Sequence, residues 1–484
     1  MSDTVLVERL IAIVGERFVL QRDGDLLVYN SDGLPGYRRK PRIAVFPASR
    51  EQTIAVVRAL AESGSAFVPR GAGTGLSGGA LADDVVLLGL HRLKKVLSID
   101  HENLRAVVEP GVVNLALNKT VSLLGLLYAP DPSSEAACTI GGNIAENAGG
   151  PHCLKYGVTL NHVLAITAIL PDGEIVTLGN PEGEIDGYDL RGAFIGSEGC
   201  FGIALDVTVR LTRKPAAVRT MLADFTSVDD AAHVTSAIIA SGIVPAALEF
   251  MDSPTIKVVE SSVYAAGYPA DAAAVLLIEV DGTEAGVNSD RDTIEEICIK
   301  GGARTVKVAR NDAERMKLWQ GRKKAFGAMG RMAPHLVVQD AVIPRTRLAE
   351  VLDRIARIAA ENNVTVCNVF HAGDGNLHPN IPYNADDPDE AKRVHKSMGE
   401  IMRACVDAGG SITGEHGVGL DKIGYIEMIF SQDSLSAMCT LREVFDPKRR
   451  SNPGKVVPVH SCQEWRATPA GRASDANELA GTST

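Results

Sequence analysis

The run Pro69-Arg70-Gly71-Ala72-Gly73-Thr74-Gly75-Leu76-Ser77-Gly78-Gly79 constrains this chain more than any other segment, since five of the nine residues from 71 to 79 are glycine. It follows a strand pattern, Ala66 to Pro69, and positions 73–78 satisfy G-x-G-x-x-G. A Rossmann dinucleotide turn needs a helix directly after its glycines. Here only Ala80 to Asp84 stand before the next apolar run, too few for a crossover helix, so that reading is rejected. Glycines without a helix still turn several backbone N–H groups to one concave surface, and such a nest binds a diphosphate.

The flanking pattern is β-α-β. Ile43 to Pro47 reads as a strand, and Ser49 opens a helix with Gln52 as its capping-box partner. Ile54, Val57 and Leu60 form its apolar stripe, and Gly64 ends it. Strands follow at Val85–Leu90, Val96–Ile99 and Arg105–Glu109, then a helix capped by Asn114 and carrying Leu117, Val121 and Leu124. Strands at Val163–Leu170, Glu174–Leu178 and Ile203–Leu211 close a first large unit, with a boundary at Lys214-Pro215. Beyond it, Met221–Phe225, a helix from Val228, Ala247–Met251 and Ala274–Val280 predict a smaller α+β domain. A helix over 347–361, a strand Thr365–Phe370, a helix over 390–408 and a return segment Arg442–Pro458 complete the pattern. The tail after Cys462 has few large apolar residues and is expected to be disordered.

A chain of 484 residues with 45% apolar content is long enough to bury more than one core, and its length predicts about three domains. Its net charge of −11 argues against nucleic acid as a partner, because phosphate binding needs a basic surface. No apolar run reaches the roughly 18 residues of a membrane span. The start, Met1-Ser2-Asp3-Thr4, shows no secretory signal, so a cytoplasmic protein is expected. Eight cysteines contain no C-x-x-C, so no iron–sulfur cluster or zinc ribbon is expected in this chain.

Two further glycine clusters follow. Asp131-Pro132-Ser133-Ser134 precedes Thr139-Ile140-Gly141-Gly142-Asn143-Ile144-Ala145-Glu146-Asn147-Ala148-Gly149-Gly150, and Gly196-Ser197-Glu198-Gly199-Cys200-Phe201-Gly202-Ile203 leads into a strand. Paired glycines admit a flat ring close to the backbone. The Asn amides and Ser hydroxyls suit a heteroaromatic edge with mixed donors and acceptors.

The segment Phe370-His371-Ala372-Gly373-Asp374-Gly375-Asn376-Leu377-His378-Pro379-Asn380 reads as a hairpin with Asp374-Gly375 as its two-residue turn. That register sets His371 directly opposite His378, with Cβ atoms about 5 Å apart. Asn376 and Asn380 share the face of His378. Gly414-Glu415-His416-Gly417 adds a carboxylate and a third imidazole. Two His and a Glu suit a divalent ion such as zinc, manganese or iron. Separately, Trp319-Gln320-Gly321-Arg322-Lys323-Lys324 reads as a basic helix turn, either a solvated face or a carboxylate clamp.

The loop at 69–79, the cluster at 131–150, Gly196 to Ile203 and Asn452-Pro453-Gly454-Lys455 resemble the FAD-binding domain of the vanillyl-alcohol-oxidase/p-cresol-methylhydroxylase (VAO/PCMH) type. Within it, the runs Pro69–Ala80, Ala129–Gly157, His371–His378 and Gly414–Gly419 are similar to the D-2-hydroxyacid dehydrogenases, above all to flavoprotein subunits of bacterial glycolate oxidases. The resemblance spans Tyr37 to Pro458. It implies an α+β fold: a two-part VAO/PCMH-type FAD-binding domain plus a substrate, or cap, domain with a central antiparallel sheet. The expected organisation is an extension at 1–40, the FAD domain at 41–215, the cap at 216–425, a return segment at 426–460 and a tail at 461–484.

The resemblance places the diphosphate of FAD on Gly71 to Gly75, the flavin beside the second cluster and the adenine near Ile203. The cofactor-binding residues it implies are Pro69, Arg70, Gly71, Ala72, Gly73, Thr74, Gly75, Ser77, Pro132, Ser133, Ser134, Gly141, Gly142, Asn143, Asn147, Gly149, Gly150, Glu198, Gly199, Ile203 and Asn452. Some relatives attach flavin through a His in the first loop; none lies between Pro69 and Ala80, and Cys153 is read as structural, so the FAD is expected to be non-covalent. The resemblance further implies metal ligands His371, His378 and Glu415, the base His416, and Arg322 on the substrate carboxylate. Where some relatives carry a second cationic residue, a Lys, this chain has Val338, which favours a small monocarboxylate. The implied reaction is oxidation of a small 2-hydroxy acid, glycolate or D-lactate, to the 2-oxo acid. Electrons would pass to an iron–sulfur subunit and a second FAD-binding-like subunit, with the complex peripheral to the inner membrane. A stand-alone D-lactate dehydrogenase, a non-redox FAD-dependent transferase of the same fold, and a binding-only flavoprotein remain alternatives.

Overall fold

Ser49 opens a helix as its sequence predicts: its Oγ accepts the Gln52 amide at 3.2 Å, and Arg50–Ser63 ends at a left-handed Gly64. Gln52 reaches one residue further back than a capping box, accepting the Ala48 amide at 2.8 Å. The structure, a computed structural model, describes residues 3–34, 36–183 and 187–456. The expected tail at 461–484 and the end of the return segment lie outside the described residues.

The chain forms two compact units. One comprises residues 1–149, 158–214 and 416 onward; the other comprises 150–157 and 215–415. In the first unit a four-stranded sheet is ordered Val19–Leu20, Ile43–Val45, Val86–Gly89, Phe67–Arg70. Its last three strands are parallel, which is why their residues read as continuous apolar runs rather than as alternation. A five-stranded antiparallel sheet is ordered Val96–Asp100, Arg105–Val108, Ile203–Arg210, Val163–Ile169, Ile175–Gly179. Between Phe67–Arg70 and Val86–Gly89 there is no helix, as the glycine spacing predicts.

Asn114 does not cap its helix. The N-cap of Asn114–Ser122 is Val113, with no side-chain capping bond. Asn114 is instead fully buried, and its Nδ2 donates to the Pro130 carbonyl at 2.9 Å and to Asn143 Oδ1 at 3.1 Å. Leu124 falls beyond the helix and is exposed.

The second unit is built on a nine-stranded sheet. Its continuous path runs Ala303–Val308, Ala217–Phe225, Ala274–Gly282, Ala247–Asp252, Cys367–His371, Asn376–Leu377, Ala341–Val342, and all described pairings are antiparallel. Leu222, Leu277, Glu249 and His371 form one row across four adjacent strands and so share a face. On the sheet, Leu222, Met251 and Val275 pack with Ala325, Ala328 and Met329 of the helix Asp312–Met329. Of the two readings of this basic turn, a solvated face or a carboxylate clamp, the solvated face does not hold for Trp319 and Arg322, which are buried. Residues 315, 319 and 322 recur at i, i+4 and i+7, one helix face, and meet the carboxylates of the sheet. Among the described residues no helix is long and apolar enough to cross a membrane.

Candidate active site

The histidine hairpin forms in a register two residues away from the expected one. His371 pairs with Asn376, and Asn368 with Pro379, so Ala372 to Gly375 make a four-residue loop. Two local features set this turn. Asp374 Oδ1 accepts the Asn376 amide at 3.1 Å. Gly375 is left-handed (φ 80°), its carbonyl accepts the Ile343 amide at 3.0 Å, and a Cβ there would lie 2.2 Å from the Ile343 carbonyl oxygen. A slip of two residues leaves every side chain on its own face. His371 and His378 therefore still converge, diagonal rather than opposite, with ring centroids 5.3 Å apart and planes at 89°.

Both rings turn Nε2 toward Glu415 Oε1, at 3.3 Å from His371 and 3.1 Å from His378. The three ligand atoms lie within 4.8 Å of one another. Each opposite ring nitrogen faces an acceptor: His371 Nδ1 is 2.8 Å from Glu249 Oε1, and His378 Nδ1 donates to the Gln339 carbonyl at 3.2 Å. An acceptor on Nδ1 holds a hydrogen there and leaves Nε2 as the nitrogen that would bind a metal in exchange for its own proton, the arrangement of histidines that bind metal. Two imidazoles and one carboxylate fit a divalent ion with positions left for substrate. Burial disfavours charge on His371, but Glu249 and Glu415 outweigh it and push its pKa well above the usual value. Burial likewise opposes ionisation of Glu415, yet His371 and His378 hold it well below the carboxylate range.

Asp340, which sequence reasoning missed, fixes the Glu415 segment. Its Oδ2 accepts Thr413 Oγ1 at 2.6 Å and the Gly414 amide at 3.0 Å, and its Oδ1 accepts the Glu415 amide at 3.1 Å. Gly414 permits this close passage, because a Cβ would lie 2.3 Å from Asn376 Oδ1. Also missed was Glu249, fully buried between Arg322 and His371. Arg322 Nη2 is 2.5 Å from Glu249 Oε2 and 3.5 Å from His371 Nδ1. Its one signal in the sequence is a carboxylate inside the apolar run Ala246–Met251.

In the first unit, the amides of Gly71, Ala72, Gly73, Thr74 and Gly75 donate to no protein acceptor among the described residues. Ser77 Oγ is buried, also without a protein partner among them. Arg70 supports this loop from its own side. Its guanidinium donates to the Ser31 carbonyl at 2.9 Å and fills the space of a Gly73 Cβ. Pro69 closes on Gly199, where a Cβ would lie 2.6 Å from Pro69 Cγ. In the second cluster, Thr139 caps the helix Ile140–Glu146 through the Gly142 amide, and Gly141 passes Pro110 with room for no Cβ. Pro132 and Ser134 carbonyls accept the Glu135 and Cys138 amides in a turn on which Ser133 is exposed.

Asn143 is tied to Asn114 and to Cys138 Sγ, and Asn147, itself left-handed, accepts the Leu160 amide at 2.9 Å, so both brace the backbone of this cluster. Gly149 is buried, and Gly150 begins the eight-residue stretch that belongs to the other unit, where His152 and Lys155 meet Glu279 and Asp281.

Glu198 is left-handed (φ 49°) and accepts the amides of Val418 at 2.7 Å and Gly419 at 2.9 Å. Asn452, also left-handed, donates to the carbonyls of Glu198 and Gly79 and accepts Lys455 Nζ at 2.7 Å. Ile203 is buried at the head of its strand, opposite Ile169. Glu146, not singled out from sequence, lies beside Glu198: a Cβ on Gly417 would meet Glu198 Oε1 at 2.6 Å and Glu146 Oε2 at 2.7 Å. His416 precedes that glycine and directly follows Glu415 in the chain.

Residues 41–179 match the FAD binding domain family, and residues 214–456 match the C-terminal domain of FAD linked oxidases. The chain belongs to the FAD-linked oxidase family. This FAD-linked oxidase is 45% identical to glycolate oxidase subunit GlcD of Escherichia coli over 451 residues, 93% of this chain and 90% of that protein. It is 41% identical to GlcD of Bacillus subtilis, over 93% of this chain and 96% of the relative. A D-lactate dehydrogenase of Anaerostipes hadrus is 33% identical, over 87% and 90% respectively. The fold is that of p-cresol methylhydroxylase, whose crystal structure superposes with a TM-score of 0.80 at 16% identity, covering 94% of this chain and 96% of that one. FAD is the cofactor of this oxidase, and the open amides of Gly71 to Gly75 with the buried Ser77 hydroxyl fit its diphosphate.

Proposed function

We propose that this FAD-linked oxidase converts a small 2-hydroxy acid, glycolate or D-lactate, to the 2-oxo acid. One observation carries the reading: the Arg322 guanidinium lies 3.5 Å from the His371 ring, so an anion site adjoins a metal-ligand set. A 2-hydroxy acid has the same adjacency, a carboxylate and a hydroxyl on neighbouring carbons. Arg322 receives the carboxylate in a bidentate grip. His371, His378 and Glu415 hold a divalent ion. When bound, that ion is a Lewis acid for the hydroxyl, and FAD is the acceptor for the hydride of the α-carbon. A ring nitrogen of His416 takes the hydroxyl proton, a task suited to imidazole near neutral pH. Loss of one proton and one hydride leaves the 2-oxo acid.

The first glycine loop, with Pro69, Arg70, Ser77, Gly199 and Asn452 around it, holds the FAD without a covalent bond. Acid precipitation should release all the flavin. The GlcD relatives are named as subunits, and this chain has no C-x-x-C. The subunit names support a partner, and the proposal passes the electrons to a separate iron–sulfur subunit, with a second FAD-binding-like subunit, in a complex peripheral to the membrane.

The test is an anaerobic titration of the purified flavoprotein with glycolate and then D-lactate. Loss of the oxidised-flavin band is expected, and the faster acid names the substrate; D-lactate alone would favour the D-lactate dehydrogenase reading. Bound flavin that neither acid bleaches would overturn the proposal. His416→Ala should keep its FAD and lose about 10²- to 10⁴-fold in turnover.

A further inference from the structure

We infer that Glu249 is a positioning residue that couples the two halves of this site and restricts it to monocarboxylates; the inference rests on the metal and carboxylate roles proposed above. Glu249 sits in the middle of the strand Ala247–Asp252, directly opposite His371 on the next strand, and is fully buried. Its two oxygens serve different partners. Oε1 is 2.8 Å from His371 Nδ1, and Oε2 is 2.5 Å from Arg322 Nη2. The helix bearing Arg322 packs closely on the loop at 266–268: a Cβ on Gly321 would lie 2.7 Å from the Tyr268 hydroxyl and 2.7 Å from Ala266 Cβ. Arg322 itself is buried.

Two consequences follow from one carboxylate touching both groups. The first is geometric. A carboxylate on Nδ1 fixes the ring angle of His371 and keeps a hydrogen on Nδ1, so Nε2 faces Glu415 as the nitrogen that would take a metal in exchange for its proton. The second is electrostatic. A buried Arg322 without a counter-ion would be costly, and Glu249 neutralises it before substrate arrives. Asp340, also buried, stands 3.9 Å from His378 Nδ1, so with both imidazoles neutral the carboxylates of Glu249, Glu415 and Asp340 offset Arg322 and a divalent ion. Each carboxylate of the substrate then adds a negative charge to a buried site, and a second one costs more than the first.

Glu249→Gln preserves shape but replaces one acceptor with an NH₂ group, which must face either Arg322 or the N–H of His371. The FAD-loaded protein is stripped of metal, and Zn²⁺ affinity is measured by competition with a chromophoric chelator. Glu249→Gln should bind Zn²⁺ about 10- to 100-fold more weakly than wild type. Its site gains a positive charge, so the inhibition constant of tartronate, a 2-hydroxy dicarboxylate, should fall about tenfold relative to the KM for glycolate. Glu249→Asp, which keeps the charge but is too short to span both groups, should weaken Zn²⁺ without the shift toward tartronate, and serves if the Gln variant does not fold. Zn²⁺ binding lost in His378→Ala but unchanged in both Glu249 variants overturns the role of Glu249 alone. Equal Zn²⁺ binding by wild type and His378→Ala overturns the metal reading and this inference together.

Discussion

His371 and His378 stand edge to face, 5.3 Å between ring centroids, and both direct Nε2 at the same oxygen of Glu415. A chelator that strips a divalent ion from this set should lower glycolate turnover by at least about a hundredfold without releasing FAD, whose loop lies in other residues. Adding zinc, manganese or iron should restore the wild type, and the ion that does so best identifies the metal. His378→Ala should not be restored by any of them. Full activity after exhaustive chelation would remove the ion from the mechanism.

Gly375 holds the loop that aligns those histidines. An alanine there must accept a left-handed backbone and a Cβ 2.2 Å from the Ile343 oxygen. Gly375→Ala should cost about 1–3 kcal/mol, read as a lower melting temperature, and should weaken metal binding as the histidines shift. An unchanged melting curve would mean that the hairpin tolerates another turn.

Gly71 lies against the cap of the next cluster, since a Cβ would sit 2.4 Å from Thr139 Oγ1. Gly71→Ala should displace that hydroxyl from the Gly142 amide, costing about 1 kcal/mol of helix capping, and should weaken FAD about tenfold or more. Titration of the apoprotein with FAD, followed by flavin fluorescence, measures this. Gly24→Ala, where nothing lies within 4 Å, is the silent control. Equal FAD affinity in the two variants would argue against the first loop as the diphosphate site.

Glu146 and Glu198 share a site near Gly417. Burial pushes Glu198 up to about 7. Burial, reinforced by the neighbouring Glu198, pushes Glu146 well above the carboxylate range. The folded protein thus keeps protons that the unfolded chain releases above about pH 4.5. The stability associated with these protons is present below that pH and is lost as pH rises through about 7. Glu146→Gln removes one ionisable group, so the melting temperature of its apoprotein should gain on wild type between about pH 5 and about pH 8. Parallel pH profiles would contradict the sharing.

Much of the site was legible because its signals are local. Glycines at 71–79 without a following helix exclude a Rossmann turn on spacing alone. The faces of His371 and His378 survive the wrong register because side chains alternate with a period of two, so a two-residue slip moves the turn without exchanging faces. Arg322 was singled out, but its solvated alternative fails because the sheet covers its helix. That Asn114 and Leu160 engage the asparagines of the second cluster was not legible, since no local pattern marks either partner.

Sequence alone determined the glycine loops, the β-α-β start of the first unit, and the set of histidines and carboxylates that can hold an ion. These depend on backbone freedom, period and residue type, which neighbours in the chain carry. Only the tertiary structure decided what each charge faces. A glutamate in a strand reads as solvated until the strand beside it brings His371 and the helix above it brings Arg322. Glu249, Asp340 and Glu146 acquire their roles from partners 122, 75 and 52 positions away, His371, Glu415 and Glu198. Burial makes those pairings strong, because in a medium that excludes water a carboxylate must find its counter-charge or keep its proton.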